Sequence, residues 1–287
     1  MTMLLINGSF QVEGTQPDGD TVHFTPADPN TWELLGTRGH AVKHDALGRA
    51  TLRLDAIDAL ETHYGANRVH QPLRFAHAAR DELLGWLGFE NVRQGPDETV
   101  TATTPATVPG SVLTSGADVH GRCVSLVGRG ACEGPGGVEA DVDAALLRTT
   151  ANHHLLTAGL VYPTFYRSLL PSLREELTAA ARQARTAPGQ GLWPGDVTTA
   201  GAKVTALSSL TDDVVILPKL FRRLVDFLQL GTPSLTCFPA YLAGVRDHFT
   251  ILSTGRRCTG LHAVVEVTDG RTVRMTQPPE DLVFDEA

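Results

Sequence analysis

Ala50–Glu61 reads ATLRLDAIDALE. Over its first eight residues apolar and polar side chains alternate. Leu52, Leu54 and Ala56 share one face, and Arg53, Asp55 and Ile57 the other, the two-residue period of a half-buried strand. Three charges of one short stretch, Arg53, Asp58 and Glu61, lie in or just after it. Upstream, Leu4–Val12 alternates loosely and Thr21–Thr25 (TVHFT) is rich in β-formers, so two more strands are expected there. Pro26–Gly48 is polar and turn-rich, the composition of an inserted loop.

Downstream the period changes. Pro72 suits a helix start. Leu73, Phe75, Ala76, Ala79, Leu83, Leu84 and Leu87 recur at helical spacing, and Gly88 is a stop. Thr99–Val127 is again β-like, interrupted by Pro105, Pro109 and Gly110. Gly128–Gly137 is rich in glycine but matches no phosphate-loop or dinucleotide pattern, and is read as a surface excursion. Asn152–Leu160 and Pro171–Arg185 read as helices. About five short strands with helices to one side predict an α+β fold, a five-stranded Greek-key barrel of the OB type.

Beyond a boundary near Asp196, Pro218–Leu230 is a strongly amphipathic helix ending at Gly231. Phe249–Phe284 holds a few strands, with a hairpin joining VVEVT to TVRMT through Asp269-Gly270-Arg271. The expected division is a domain over residues 1–196 and a smaller α+β module over 197–287. No internal repeat is visible.

The chain has 287 residues, 42% hydrophobic and 20% charged, which is enough apolar material for a core without staples. No stretch approaches membrane length, and the first residues, MTMLLINGSF, lack a basic n-region, so a cytoplasmic protein without membrane contact is expected. The four cysteines, Cys123, Cys132, Cys237 and Cys258, show no C-x-x-C spacing. Zinc is therefore not expected, and the thiols are read as reduced. Net charge is −8, nearly all of it in the stretch ending at Asp196. A nucleic-acid surface usually calls for the opposite sign, so any phosphate binding has to rest on a few placed arginines and a cation.

Two further stretches carry charge at fixed spacing. Asp18-Gly19-Asp20-Thr21-Val22 lies between two strands, and Asp118-Val119-His120-Gly121-Arg122 lies in the later β-like region. Each alone is an ordinary turn or strand edge. In order and spacing, D-G-D-T, then R-x-x-x-x-D-x-x-E over Arg53–Glu61, then D-x-x-G-R over Asp118–Arg122, the set resembles the staphylococcal nuclease (thermonuclease) family. The later helices and Trp193 extend the resemblance over about residues 5–196.

The resemblance implies a calcium-dependent nuclease that hydrolyses phosphodiester bonds of DNA or RNA and leaves 3′-phosphate ends. Asp20, Asp58 and the backbone carbonyl of Ala59 would ligate Ca2+, a hard cation that takes oxygen donors. Glu61 would act as general base or hold the attacking water. Arg53 and Arg122 would grip phosphate oxygens as charge builds on the phosphorane. Asp18, Thr21 and Asp118 would support these groups, and His120 and Phe165 would flank the base. The sequence departs from the family pattern at Ala59 and Leu60, where threonine and proline are usual, and at His120, where tyrosine is usual.

Other readings attach to the same residues. A barrel of this type can be a non-catalytic nucleic-acid or protein binding module, and the nuclease can be a latent effector under a partner's control. Retention of Arg53, Arg122, Glu61, Asp20 and Asp58 together favours catalysis. The helix at Pro218–Leu230 has a wide apolar face that needs a covering surface, so residues 197–287 are expected to pack on the first domain and condition its activity, or to serve a homo-oligomer or regulatory partner. His153-His154, Cys123 and Arg256-Arg257 are read as structural.

Overall fold

The computed structural model of the chain describes residues 1–35, 40–132, 136–231 and 234–285. Five strands close into a barrel: β1 (Thr2–Phe10), β2 (Thr21–Pro26), β3 (Ala50–Leu54), β4 (Val108–Ala117) and β5 (Cys123–Arg129). Their order around the barrel is β1-β2-β3-β5-β4 and back to β1. Neighbours are antiparallel except β3 and β5, where Leu52 pairs in parallel with Cys123. The expected OB-type barrel is present. The alternation read in the sequence explains it, because Val22, Phe24, Leu52, Leu54, Val112 and Leu126 are all buried.

Pro109 and Gly110 do not break a strand. β4 runs through both, pairing Pro109 with Ser9 and Gly110 with Gly8. A Cβ at Gly110 would meet the Phe10 ring at 2.0 Å, so glycine lets that buried ring lie flat against the facing backbone. The break expected near Pro105 marks the end of a separate hairpin, Glu90–Gln94 with Val100–Thr104. The strand read over Ala50–Ile57 ends earlier, at Leu54. Asp55 accepts a hydrogen bond from the Ala56 N–H at 2.7 Å, and Ala56 takes φ 65°. That turn sends Ile57–Asp58 off to pair with Tyr162–Pro163.

Three helices pack on the barrel: α1 (Leu73–Leu87), α2 (Ala151–Thr157) and α3 (Pro171–Thr186). Pro72 and Gly88 bound α1 as the sequence implies, with Gly88 in the left-handed region. The Pro26–Gly48 insertion is anchored by Trp32, which is buried and donates to the Gly48 carbonyl at 2.8 Å. Of that insertion, residues 36–39 lie outside the described residues, as do 133–135 of the glycine-rich stretch.

The C-terminal region holds α4 (Pro218–Leu228), α5 (Phe238–Val245) and short strands, including the hairpin Val265–Thr268 with Thr272–Met275. It shares its core with the rest of the chain. The second hydrophobic cluster joins Phe221, Leu224, Phe238 and Phe249 to Leu60, Tyr162, Ala184, Leu192 and Trp193. Strand Leu282–Phe284 pairs in parallel with Phe165–Tyr166, and buried Glu280 takes both forks of Arg185 at 2.7 and 2.8 Å. The line at Asp196 therefore falls inside a continuous core. No helix among the described residues is long and apolar enough to cross a membrane.

Two outcomes follow from this shared core. A fragment ending at Asp196 bares Leu60, Tyr162, Leu192 and Trp193, and is expected to lose cooperative thermal unfolding; a sharp transition like that of the full chain would contradict the shared core. Glu280→Gln leaves Arg185 without its carboxylate and is expected to cost about 3 kcal/mol in chemical denaturation, the scale for removing one partner of a buried pair.

Candidate functional site: a carboxylate–guanidinium cluster beside a cleft

The turn into β2 brings the first acidic group. Asp18 accepts from the Asp20 N–H at 3.2 Å, tightening Asp18–Asp20 into a bend. Gly19 is required there, since a Cβ would come within 2.6 Å of the Ala79 methyl on α1 and 2.7 Å of the Ala59 methyl. Asp20 is buried, and its Oδ2 accepts from the Ala59 N–H at 2.7 Å. Thr21 donates its hydroxyl to Asp20 Oδ1 at 3.2 Å.

Thr21 lies opposite Arg53 in the β2–β3 ladder, which sets Arg53 beside Asp20. The Arg53 guanidinium contacts Asp20 and donates to Asp58 Oδ1 at 2.7 Å. Asp58 is held by the short strand paired with Tyr162. The Glu61 N–H donates to the Gln71 side-chain carbonyl at 3.2 Å, and the Gln71 amide donates to the Ile216 carbonyl at 2.8 Å. The expected residues Asp18, Asp20, Thr21, Arg53, Asp58, Ala59 and Glu61 thus gather at one end of the barrel.

Sequence reasoning missed a member of this cluster. Arg222, on α4, donates to Asp58 Oδ2 at 3.0 Å and also contacts Glu61 Oε1. Its only signal in the sequence is an Arg-Arg pair on an amphipathic helix, which says nothing of where the helix docks.

Electrostatics follow from burial and these pairings. Burial pushes the Asp58 carboxyl up, but Arg222 and Arg53 together hold it below its ordinary value. For Glu61 burial wins: Arg222 opposes it, Asp58 and Asp20 reinforce it, and the carboxyl is raised. Asp18 is raised well above its ordinary value, first by burial and then by the charges of Asp20 and Glu61. Burial opposes the charge on Arg222, yet Asp58 and Glu61 keep it firmly protonated.

Arg122 stands apart from this cluster. Asp118 accepts from the backbone N–H groups of His120 and Arg122, each at 2.9 Å, and from the Arg122 Nε at 2.7 Å. These bonds hold the Asp118 carboxyl below its ordinary value despite partial burial. Asp118 thereby fixes both the turn and the guanidinium that leaves it. Arg122 and Arg53 line a common cleft of 390 Å³, together with His120, His40, Tyr166 and Ser168. Phe165, expected to flank a base, is fully buried in the barrel core. The strand alternation at this point turns Phe165 inward and Tyr166 toward the cleft, so Tyr166 is the available ring.

The calcium implied by the resemblance can be tested against these donors. One Asp20 oxygen already accepts the Ala59 N–H and meets Arg53. Both Asp58 oxygens carry guanidinium donors, and Glu61 is engaged by Arg222. Among the described residues no group of three or more His, Cys, Asp or Glu side chains converges as a metal site. With Arg222 in place, the residues do not fit a calcium ion.

The fold and site define an OB-type barrel protein with a buried carboxylate–guanidinium cluster behind an arginine-lined cleft. Comparison with protein-family models gives no match, and comparison with curated proteins gives none either.

Asp18 yields a pH prediction. A folded-state value raised above 3.8 means that the folded chain holds this proton more tightly than the unfolded chain. The stability it contributes is present below 3.8 and is lost as pH rises through the folded value. Asp18→Asn does not titrate but keeps an acceptor for the Asp20 N–H. Its melting temperature relative to wild type is expected to climb as pH rises above 3.8 and then level off; a difference independent of pH would contradict the raised value.

Proposed function

We propose that the chain is a thermonuclease-like phosphodiesterase acting on DNA or RNA. The observation that carries this reading is the convergence of Arg53 and Arg122 on one cleft, with Tyr166 and His120 in its lining. Two planar guanidinium groups match the non-bridging oxygens of a phosphodiester, and a ring beside them offers a stacking face for a base. As the phosphorane gains charge, both arginines strengthen their hold, which is the form of stabilisation that lowers a barrier.

Glu61 is the candidate general base. Its raised carboxyl has the basicity to accept a proton from water, and Arg222, itself bonded to Asp58, fixes its position. Attack by that water on phosphorus breaks the bond to the 5′ oxygen, which takes a proton from solvent and leaves as a 5′-hydroxyl, so the other product is a 3′-phosphate. Asp118 serves the reaction by holding Arg122 in place.

One observation favours a second reading. Glu61 is engaged by Arg222, and a base so engaged suits a module that grips the phosphate backbone without cutting it. Labelled single- and double-stranded DNA and RNA, incubated with the chain in calcium, magnesium or EGTA and also assayed for retention on filters, separate the two. Cleavage supports the nuclease. Retention without cleavage on every substrate supports the binding module.

Arg53→Ala and Arg122→Ala are each expected to slow cleavage by roughly 10²-fold or more, the scale for one preorganised charge donor. They are expected to differ in stability. Arg122 is more than a third exposed and its loss should leave the melting temperature nearly unchanged, whereas loss of Arg53 strips Asp20 and Asp58 of a shared cation. Near wild-type rates in both variants would overturn the assignment.

A further inference from the structure

Arg222, the cation that the C-terminal region brings to the cluster, is delivered by a helix that cannot easily withdraw. Phe221, Leu224 and Val225, beside Arg222 on α4, are fully buried. Arg223 makes a two-pronged pair with Asp247 at 2.8 and 2.7 Å, and Tyr64 donates to Asp226 at 3.0 Å. One turn before Arg222, Lys219 sits 4.3 Å from the centre of the Phe284 ring. The same region steadies the other partner, since Ile216 holds Gln71 and Gln71 holds the Glu61 backbone.

We propose that Arg222 is the resident cation of the Asp58/Glu61 pair: a tethered guanidinium that neutralises and positions these carboxylates where a divalent ion would otherwise have to do so, so that the intact chain neither needs nor binds calcium there.

Three physical points carry the proposal. The forked guanidinium gives each carboxylate its own nitrogen, Asp58 one and Glu61 the other, where an ammonium has a single nitrogen to divide between them. Tethering places it at an effective concentration of about millimolar or higher, against which a dissolved ion must compete. The remaining acidic groups do not supply a substitute site, because Asp20 is already met by Arg53 and the Ala59 N–H. Arg222 is then a positioning residue, acting on substrate through Glu61. The inference rests on reading Glu61 and Asp58 as parts of the reactive site, but its test does not require turnover.

The full chain, stripped with EGTA, is titrated with calcium by calorimetry and by thermal unfolding. Wild type is expected to show no 1:1 binding up to about 1 mM calcium, the weak end of protein calcium sites, and no calcium-specific rise in melting temperature. Arg222→Gln is expected to bind calcium roughly 10²-fold more tightly than wild type, the scale for baring a buried carboxylate, and to lose that gain when Asp58→Asn is added. Arg222→Lys keeps a charge but cannot fork; it is expected to bind at least about tenfold more tightly than wild type and remains informative if the glutamine variant does not fold.

Sub-millimolar calcium binding by wild type that Asp58→Asn abolishes would overturn the proposal. So would a folded Arg222→Gln or Arg222→Lys that stays indifferent to calcium. Cleavage assays in parallel keep the two readings apart: inactivity on all substrates sinks hydrolysis yet leaves the calcium result standing, whereas EGTA-sensitive cleavage by wild type sinks the tethered cation and leaves hydrolysis intact.

Discussion

A chain of alternating charge runs through one end of the barrel, from Asp20 to Arg53, to Asp58, to Arg222, to Glu61. Asp58 is its centre, almost completely buried and bonded by guanidinium groups from two distant parts of the sequence. A carboxylate so far from water is tolerable only if it is paired and hydrogen-bonded. That requirement binds the architecture together. β3 has to present Arg53 outward, the turn at Asp55–Ala56 has to redirect the chain to Asp58, and α4 has to dock with Arg222 facing the barrel.

The C-terminal region is accordingly a constituent of the site as well as a neighbour of the barrel. Its apolar helix face finds the cover that the sequence demands in a cluster shared with Leu60, Tyr162 and Trp193. Burial of those apolar residues supplies a broad, undirected attraction. The Arg185–Glu280 pair and the strand pairing of Phe165–Tyr166 with Leu282–Phe284 then fix how the pieces are oriented. An arginine on a helix fixed in this way needs little further ordering to meet its carboxylates.

What was legible in the sequence was local. Two-residue alternation marked β2 and β3, helical spacing marked α1, and Pro72, Gly88 and Asp269-Gly270 marked ends and turns, because each signal is set by a residue's own backbone preference. Of the three charged motifs, the first two fold into one carboxylate–guanidinium cluster, and the third, Asp118–Arg122, stands apart from it on the cleft. The illegible parts are those decided at long range. Gly110 looked like a break because its reason, the Phe10 ring, lies about a hundred residues away. Phe165 and Tyr166 are both aromatic, and only the sheet's register turns one inward and the other to the cleft. Nothing in PKLFRRLVDFLQL distinguishes Arg222, which meets the acids, from Arg223, which meets Asp247 on its own side of the molecule.

The charge chain also sets the local potential at the cleft of an acidic protein. Arg53 belongs both to the cluster and to the cleft lining, so the buried carboxylates that engage its guanidinium also set how much of its charge the cleft feels. Were Asp58 to rely on Arg53 alone, much of that positive charge would be cancelled from behind. Arg222 takes up one Asp58 oxygen and Glu61, which reduces the field that opposes Arg53 at the cleft. Arg122 faces a single carboxylate, Asp118, and is more than a third exposed, so solvent screens that pair while the guanidinium stays open to the cleft. The potential at the cleft is therefore set by how the three arginines are divided among the carboxylates behind them, and the chain's overall charge of −8 is a poor guide to it.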